Sequence, residues 1–216
     1  MPNLLAVLAS PRGDYSVSRT LTAQFVEQWK KDHPGGNFVT RDLQTTKLPF
    51  VDLPWIAGAY TPAEQHSPEM AKALEISNEL IAELQQADHI VIGTPMYNFA
   101  TPAILKAWID HIVRFGVTFS ASYEGLLKGK KVTVIVASGG VYTPGAFAES
   151  YNQETGYLKF ILGFVGLTDV TFVLAGGTND VAQGKRTQAD LVAQFAPEVL
   201  AAAGAVAAGA VSASAS

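Results

Sequence analysis

The chain has 216 residues, 48% of them apolar and 16% charged, with a formal net charge of −4. That length suits one large or two small domains with a sizeable core, and the apolar fraction excludes wholesale disorder. The mildly acidic balance argues against binding nucleic-acid backbones, and a chain without cysteine has no disulfide, thiolate metal site, Cys-ligated iron–sulfur cluster or cysteine nucleophile.

In chain order, residues 4–9 are an apolar run too short for a helix, with no basic residue before it to suggest an export signal. Val17, Leu21, Phe25 and Trp29 then recur every four residues, as on one face of an amphipathic helix. Residues 38–43 are half polar and read as an edge strand, and 44–66 read as a long loop. Ser67 and Pro68 predict an N-cap and first helical residue, ahead of a face made by Met70, Ala73, Leu74, Ser77, Leu80, Ile81 and Leu84. Residues 90–92 read as a third strand. Thr101 and Pro102 repeat the capping device before a stripe of Ile104, Leu105, Trp108, Ile109, Ile112 and Val113, and Gly116 stands where a C′ glycine would. Residues 132–137 and 170–175 are nearly all apolar and read as strands buried on both faces. A long loop over 139–151 and an apolar helix over 157–164 separate them. Residues 187–203 read as an Ala-rich helix that Pro197 bends or breaks, and 204–216 as a flexible Ala/Ser-rich tail without the basic or aromatic ends of a membrane anchor. The pattern predicts one α/β domain over residues 1–203: a doubly wound, five-stranded parallel sheet with helices on both faces.

In such sheets ligands bind beyond the carboxyl ends of the strands, so the loops after strands 1, 3 and 4 are the candidates. The first holds Ser10, Arg12, Gly13, Ser16 and Ser18 before a helix start, a setting for a phosphate or simply a helix cap. It contains neither G-x-G-x-x-G nor a Walker sequence. The second holds Pro95, Met96, Tyr97, Asn98 and Phe99, a platform for a flat ring or a structural corner. The third holds Ala137, Ser138, Gly139, Gly140 and Tyr142, where paired glycines allow close backbone approach or merely a turn. Among the histidines, His111 reads as a helix-surface residue or one behind the site. No spacing suggests a metal site, and Lys30-Lys31 and Lys130-Lys131 read as solvated charges at element ends.

The run from Pro95 to Phe99, followed by 105–110, Arg114, 116–119, 129–131, 157–158, 163–166 and 169–170, resembles the FMN-dependent NADH:quinone oxidoreductase and azoreductase family, of flavodoxin-like fold. The resemblance spans residue 4 to about residue 200. It implies non-covalent FMN, with its phosphate at Ser10, Ser16, Val17 and Ser18. Its ring would lie on Pro95, Met96, Tyr97, Asn98 and Phe99, closed on the other side by Ala137, Ser138, Gly139, Gly140 and Tyr142. Phe119 and Phe164 would line the acceptor pocket across a homodimer interface. The flavin would carry the chemistry, with no catalytic side chain required. NADH would donate a hydride and leave, and a quinone or azo compound would then take two electrons at the same ring face, in ping-pong order. Full azo cleavage would need two cycles. Family members often carry Arg where Ser138 stands and Tyr where Ala121 stands, differences that bear on substrate preference. The rival readings are an FAD-dependent NAD(P)H:quinone reductase and a flavodoxin-like electron carrier without steady turnover. A cytoplasmic location is expected. Trp55, Tyr60, Phe119 and Phe164 fall in loops or at element ends, where aromatics serve interfaces as readily as cores.

Overall fold

The structure, a computed structural model, describes residues 1–212, with side chains described to residue 204. Five strands, β1 (Asn3–Leu8), β2 (Asn37–Asp42), β3 (His89–Pro95), β4 (Lys131–Ser138) and β5 (Asp169–Gly176), form one sheet in the order β2-β1-β3-β4-β5. Every pairing is parallel. The helices are α1 (Val17–Asp32), α2 (Leu53–Ala59), α3 (Pro68–Gln86), α4 (Ala103–Ile112), α5 (Glu154–Phe164), α6 (Thr178–Ala182) and α7 (Gln188–Ser212). This is the doubly wound order in which the chain switches direction between β1 and β3 and leaves a crevice beyond their carboxyl ends.

Burial follows position in the sheet. β3 is buried along its whole length and β4 along all but its first residue, whereas β2 is mostly exposed at its edge. The apolar run in β5 is also an edge strand, with Asp169 and Thr171 exposed and Val170, Phe172 and Leu174 only partly buried, so the expectation of two fully covered faces fails there. One core layer packs Leu80, Leu84, Trp108, Ile112, Leu158 and Leu162 against the sheet, and the other packs Leu21, Phe25, Trp29, Leu191 and Val199. Val17, Leu21, Phe25 and Trp29 all point inward, as their spacing requires. Ser67 caps α3 by accepting from the Met70 N–H, with Pro68 in the first turn.

Several sequence expectations change in the fold. Residues 44–66 are not all loop: α2 is capped by the Asp52 carboxylate, which accepts from the Trp55 N–H. Trp55 is core, and His111 is wholly buried beside it rather than on a helix surface. The Trp55 indole N–H donates to His111 Nδ1 at 3.1 Å, and His111 Nε2 lies 2.8 Å from the Pro49 carbonyl oxygen. Those bonds fix the neutral tautomer with its hydrogen on Nε2 and clamp the 49–55 segment onto α4. Pro102, not Thr101, is the N-cap residue of α4, and α4 ends at Ile112 with Val113 as its C-cap. Gly116 sits instead in the turn that follows, at φ +72°, where its N–H donates to the Phe119 carbonyl. Lys130 is a cap rather than a free charge, donating to the Gln85 and Ala87 carbonyls at the end of α3. Helix α7 passes through Pro197 and continues to Ser212; of the segment read as a tail, residues 213–216 lie outside the described residues. No helix among the described residues is long and apolar enough to cross a membrane.

Candidate ligand-binding site

A cavity of about 220 Å³ opens at the carboxyl edge of the sheet, at the β1/β3 switch. Its first wall is the loop after β1 and the start of α1: Ser10, Arg12, Ser16, Val17 and Ser18. Ser16 is the N-cap of α1, and its hydroxyl accepts from the Arg19 N–H. The N–H groups of Val17 and Ser18 lie in the first turn, where no intrahelical carbonyl reaches them. The Ser18 hydroxyl is buried 3.2 Å from that of Ser16. None of the residues lining the cavity is acidic. Hydroxyls, free N–H groups and a helix dipole with no competing carboxylate make a site for an anion, and a phosphate fits that donor set.

Arg19 builds this wall from behind. Its Nε–H donates to the Ser10 carbonyl at 2.7 Å, and its fork donates to both Asp42 oxygens at 2.8 and 2.6 Å. Asp42 ends β2, so the edge strand supports the loop without touching the cavity. The Arg19 bond holds the Asp42 carboxyl below its ordinary range.

The opposite wall comes from the ends of β3, β4 and β5. Pro95, Met96 and Tyr97 line it, with Ala137 and Gly139 beside them. The Met96 N–H donates to the Ala137 carbonyl at 2.8 Å, which joins the two loops. A Cβ on Gly139 would lie 2.7 Å from Asn179 Oδ1, so a side chain there would have to displace the Asn179 amide at the start of α6.

Tyr97 and Ala100 exchange both backbone bonds at 3.0 Å around Asn98 and Phe99, whose φ angles are +50° and +69°. Two left-handed residues in a two-residue loop are the signature of a type I′ turn, normally Asn-Gly. Phe99 in that conformation is strained, at a cost of about 1–3 kcal/mol. The strain is held by packing and by a backbone bond. The Phe99 ring meets Tyr142 at 6.2 Å and Tyr151 at 5.6 Å, and its carbonyl accepts from the Gln153 N–H.

Of the residues singled out in the sequence, Ser10, Ser16, Val17, Ser18, Pro95, Met96, Tyr97, Ala137 and Gly139 meet at this cavity. Asn98 and Phe99 occupy the turn above it. Ser138 turns away, donating to the Gly140 carbonyl. Gly140 and Tyr142 pack on each other, and Tyr142 faces a second hollow with Phe172 and Leu174. Phe119 and Phe164 are 4.8 Å apart in a separate aromatic group with Phe115, Tyr123 and Phe160. Much of that group is exposed, including Phe160 and Tyr123.

Thr178 and Asn179 also line the cavity and were not among the sequence candidates. They start α6 directly after Gly176-Gly177 at the end of β5. That glycine pair at the carboxyl end of a strand was the available signal. Arg12 belongs to the lining too, although only its loop was singled out for chemistry.

Behind the Tyr97–Ala100 turn lies Glu154, the first residue of α5, with no solvent exposure. Its Oε1 is 3.1 Å from Thr94 Oγ1, and its Oε2 has no partner among the described residues. Burial pushes its carboxyl up to about 8. At the other end of β3, burial first, then Lys131 and His33, pushes His89 down to about 4. No group of acidic and histidine side chains fit to hold a metal is present among the described residues.

Residues 2–197 match the family described as flavodoxin-like fold. The chain is 48% identical over 199 residues to a Burkholderia lata protein named FMN-dependent NADH:quinone oxidoreductase 8, covering 92% of this chain and 95% of that one. A Jannaschia protein with the corresponding name is 48% identical over 203 residues, covering 94% and 100%. Among solved structures, an FMN-dependent NADH-azoreductase from Bacillus anthracis in complex with FMN superposes with a TM-score of 0.83 at 27% identity, covering 95% of this chain and 99% of that one.

Proposed function

The chain belongs to the family of flavodoxin-like fold, and from that premise we propose that it is an FMN-dependent oxidoreductase that passes electrons from NADH to quinones and azo compounds. The observation that carries this reading is the carboxylate-free cavity of serine hydroxyls and first-turn N–H groups, set beside the strained Tyr97–Ala100 turn. Relatives of nearly full length that carry the corresponding name support it.

In this proposal Ser10, Ser16 and Ser18, with the backbone of Val17, hold the FMN phosphate. A volume of about 220 Å³ is below the ~300–1,000 Å³ of pockets that enclose a drug-sized ligand, so the cavity takes one end of the cofactor and leaves the ring against the turn. Met96, Tyr97, Asn98 and Phe99 present that surface, and Gly139 keeps the facing loop close. Bound FMN supplies two-electron transfer between a nicotinamide and an organic acceptor. The chain orients it and leaves an approach open. Ordered donor release before acceptor binding, and reductive azo cleavage, are the finer parts of the proposal.

Phe119 and Phe164 serve the acceptor pocket in a homodimer. The exposure of Tyr60, Phe115, Tyr123 and Phe160 around them supports this, because a contiguous exposed aromatic group marks an interface. A cytoplasmic location belongs to the same proposal.

The test is to add FMN to purified protein, remove the excess and record the visible spectrum before and after NADH. Flavin bands that survive desalting, bleach with NADH and return with a benzoquinone are expected. A protein that stays colourless with FMN would overturn the reading.

A further inference from the structure

We propose that Glu154 is a positioning residue for the FMN ring turn: a neutral carboxylic acid that donates its proton to the Thr94 hydroxyl, which donates in turn to the Pro95 carbonyl. This rests on the FMN reading above.

Hydrogen counting leads to it. Thr94 Oγ1 lies 3.1 Å from the Pro95 carbonyl oxygen and 3.1 Å from Glu154 Oε1. A threonine hydroxyl has one hydrogen, and a carbonyl and an ionised carboxylate only accept. If Glu154 were ionised, one of the two contacts would lack a hydrogen. With the proton on Oε1, both are filled. The unpartnered atom is then the uncharged Oε2, a far smaller penalty than a dry carboxylate oxygen.

The surroundings offer the ionised form little. The N–H groups of Glu154 and Thr155, which could have faced the carboxylate at the start of α5, donate instead to Asn152 Oδ1 at 3.2 and 3.1 Å. Nearby charges are engaged elsewhere. Glu149 accepts from the Gly145 N–H, and Lys106 pairs with Asp110 on α4. On α5 itself, Tyr157 interacts with Lys106 and Asp110, and Lys159 lies on the exposed side of the helix. On β3 the facing groups are the hydroxyl and carbonyl already named. The carboxyl is displaced by burial alone, opposed only by the Thr94 bond. The dipole of α5 favours a charge by about 0.3–2 kcal/mol, less than the several kcal/mol lost when a carboxylate leaves water.

The relay ends on the backbone that carries the site. Pro95 and Met96 line the cavity, and Gln153, next to Glu154, holds the Phe99 carbonyl. Loss of the Glu154 proton turns the Thr94 hydrogen toward the carboxylate, frees the Pro95 carbonyl and places a negative charge under the turn.

The experiment measures FMN dissociation constants by flavin fluorescence from pH 6.5 to 9, for the wild type, Glu154→Gln and Glu154→Ala, with thermal midpoints at each pH. Glutamine keeps a donor toward Thr94 and never ionises. The wild type should lose about tenfold in affinity by one pH unit above the Glu154 transition, because the competent fraction falls to about one tenth. Glu154→Gln should match the wild type at pH 7 and stay flat to pH 9, with a midpoint that no longer falls between pH 6.5 and 8. Glu154→Ala should bind more weakly at every pH. Parallel pH profiles for wild type and Glu154→Gln would overturn the proposal, as would a Glu154→Gln protein that binds as poorly as Glu154→Ala at pH 7. Failure of all three to bind FMN at any pH would overturn the functional reading itself and this proposal with it.

Discussion

A buried titratable group sits at each end of β3, His89 in the strand itself and Glu154 packed on it from α5, and the two ends behave differently. At the amino end His89 meets the Thr133 hydroxyl at 3.0 Å and the edge of Phe25, and the sheet closes over it. At the carboxyl end Thr94 meets Glu154, the chain leaves the sheet in a left-handed turn, and a cavity opens. Burial is comparable, at 2% and 0% exposure, so burial does not make the site. The polarity of the fold does. In a parallel sheet with crossover helices, helix C-termini gather at the amino edge and N-termini at the carboxyl edge. Accordingly Lys130, a cation, serves the last carbonyls of α3 at one edge, while the first N–H groups of α1 face a carboxylate-free cavity at the other.

Substitution at the carboxyl end should give the largest effect. Ser16→Asp keeps a good N-cap for α1 yet puts a carboxylate at the anion site. FMN binding should weaken on the order of 100-fold, about 3 kcal/mol, with the thermal midpoint nearly unchanged. Titration of FMN into the variant checks this. Binding within a few-fold of wild type would erase the distinction between the two ends.

The amino end should govern stability without touching the ligand. His89 is held near 4 when folded and about 6.5 when unfolded, so the unfolded chain takes up a proton first as pH falls. Its contribution is intact above about pH 6.5 and is lost down to about pH 4, at about 1.4 kcal/mol per unit and roughly 3 kcal/mol in all. Glu154 has the opposite slope, because its raised folded value makes stability fall as pH rises from about 4.5 to about 8. The two oppose each other between about pH 4.5 and 6.5, and Glu154 acts alone above that. Urea unfolding of His89→Gln should show the acid loss flattened, with FMN affinity at pH 7 unchanged. A matching loss of FMN affinity would mean that the amino end also shapes the site.

Smaller effects separate ring from acceptor. Phe164→Ala should raise the quinone KM about tenfold, roughly 1.4 kcal/mol, and leave the FMN dissociation constant within twofold. Steady-state kinetics beside an FMN titration measures both, and the reverse pattern would put Phe164 against the flavin. Asn98→Ala forces a residue with poor left-handed propensity into the turn, at about 1 kcal/mol, and should weaken FMN binding about fivefold. Asn98→Gly should leave it near wild type, since glycine accepts that φ.

The same contrast shows why some features were legible in the sequence and others were not. The continuous apolar runs of β1, β3 and β4 and the four-residue spacing in α1 are local patterns, and topology then dictates which loops share an edge. Helix α2 has only seven residues and includes Pro54 and Gly58, too short and too interrupted to show a period. His111 gave no hint of burial because its partner Trp55 lies 56 residues away. Thr178 and Asn179 enter the site through the close packing of the β4 and β5 loop ends, for which the Gly176-Gly177 pair just before them is the one local signal. Glu154 carries the same lesson: in sequence it is an ordinary helix-start carboxylate, and only Thr94, 60 residues earlier, makes it unusual.

The central claim is that the α1 end of the cavity is a phosphate site. It is tested most directly by comparing the dissociation constants of FMN and riboflavin, which differ only by that phosphate. The account predicts that FMN binds at least about 100-fold more tightly, since each charge-assisted hydrogen bond contributes roughly 1.5–3 kcal/mol. Equal affinities would contradict it.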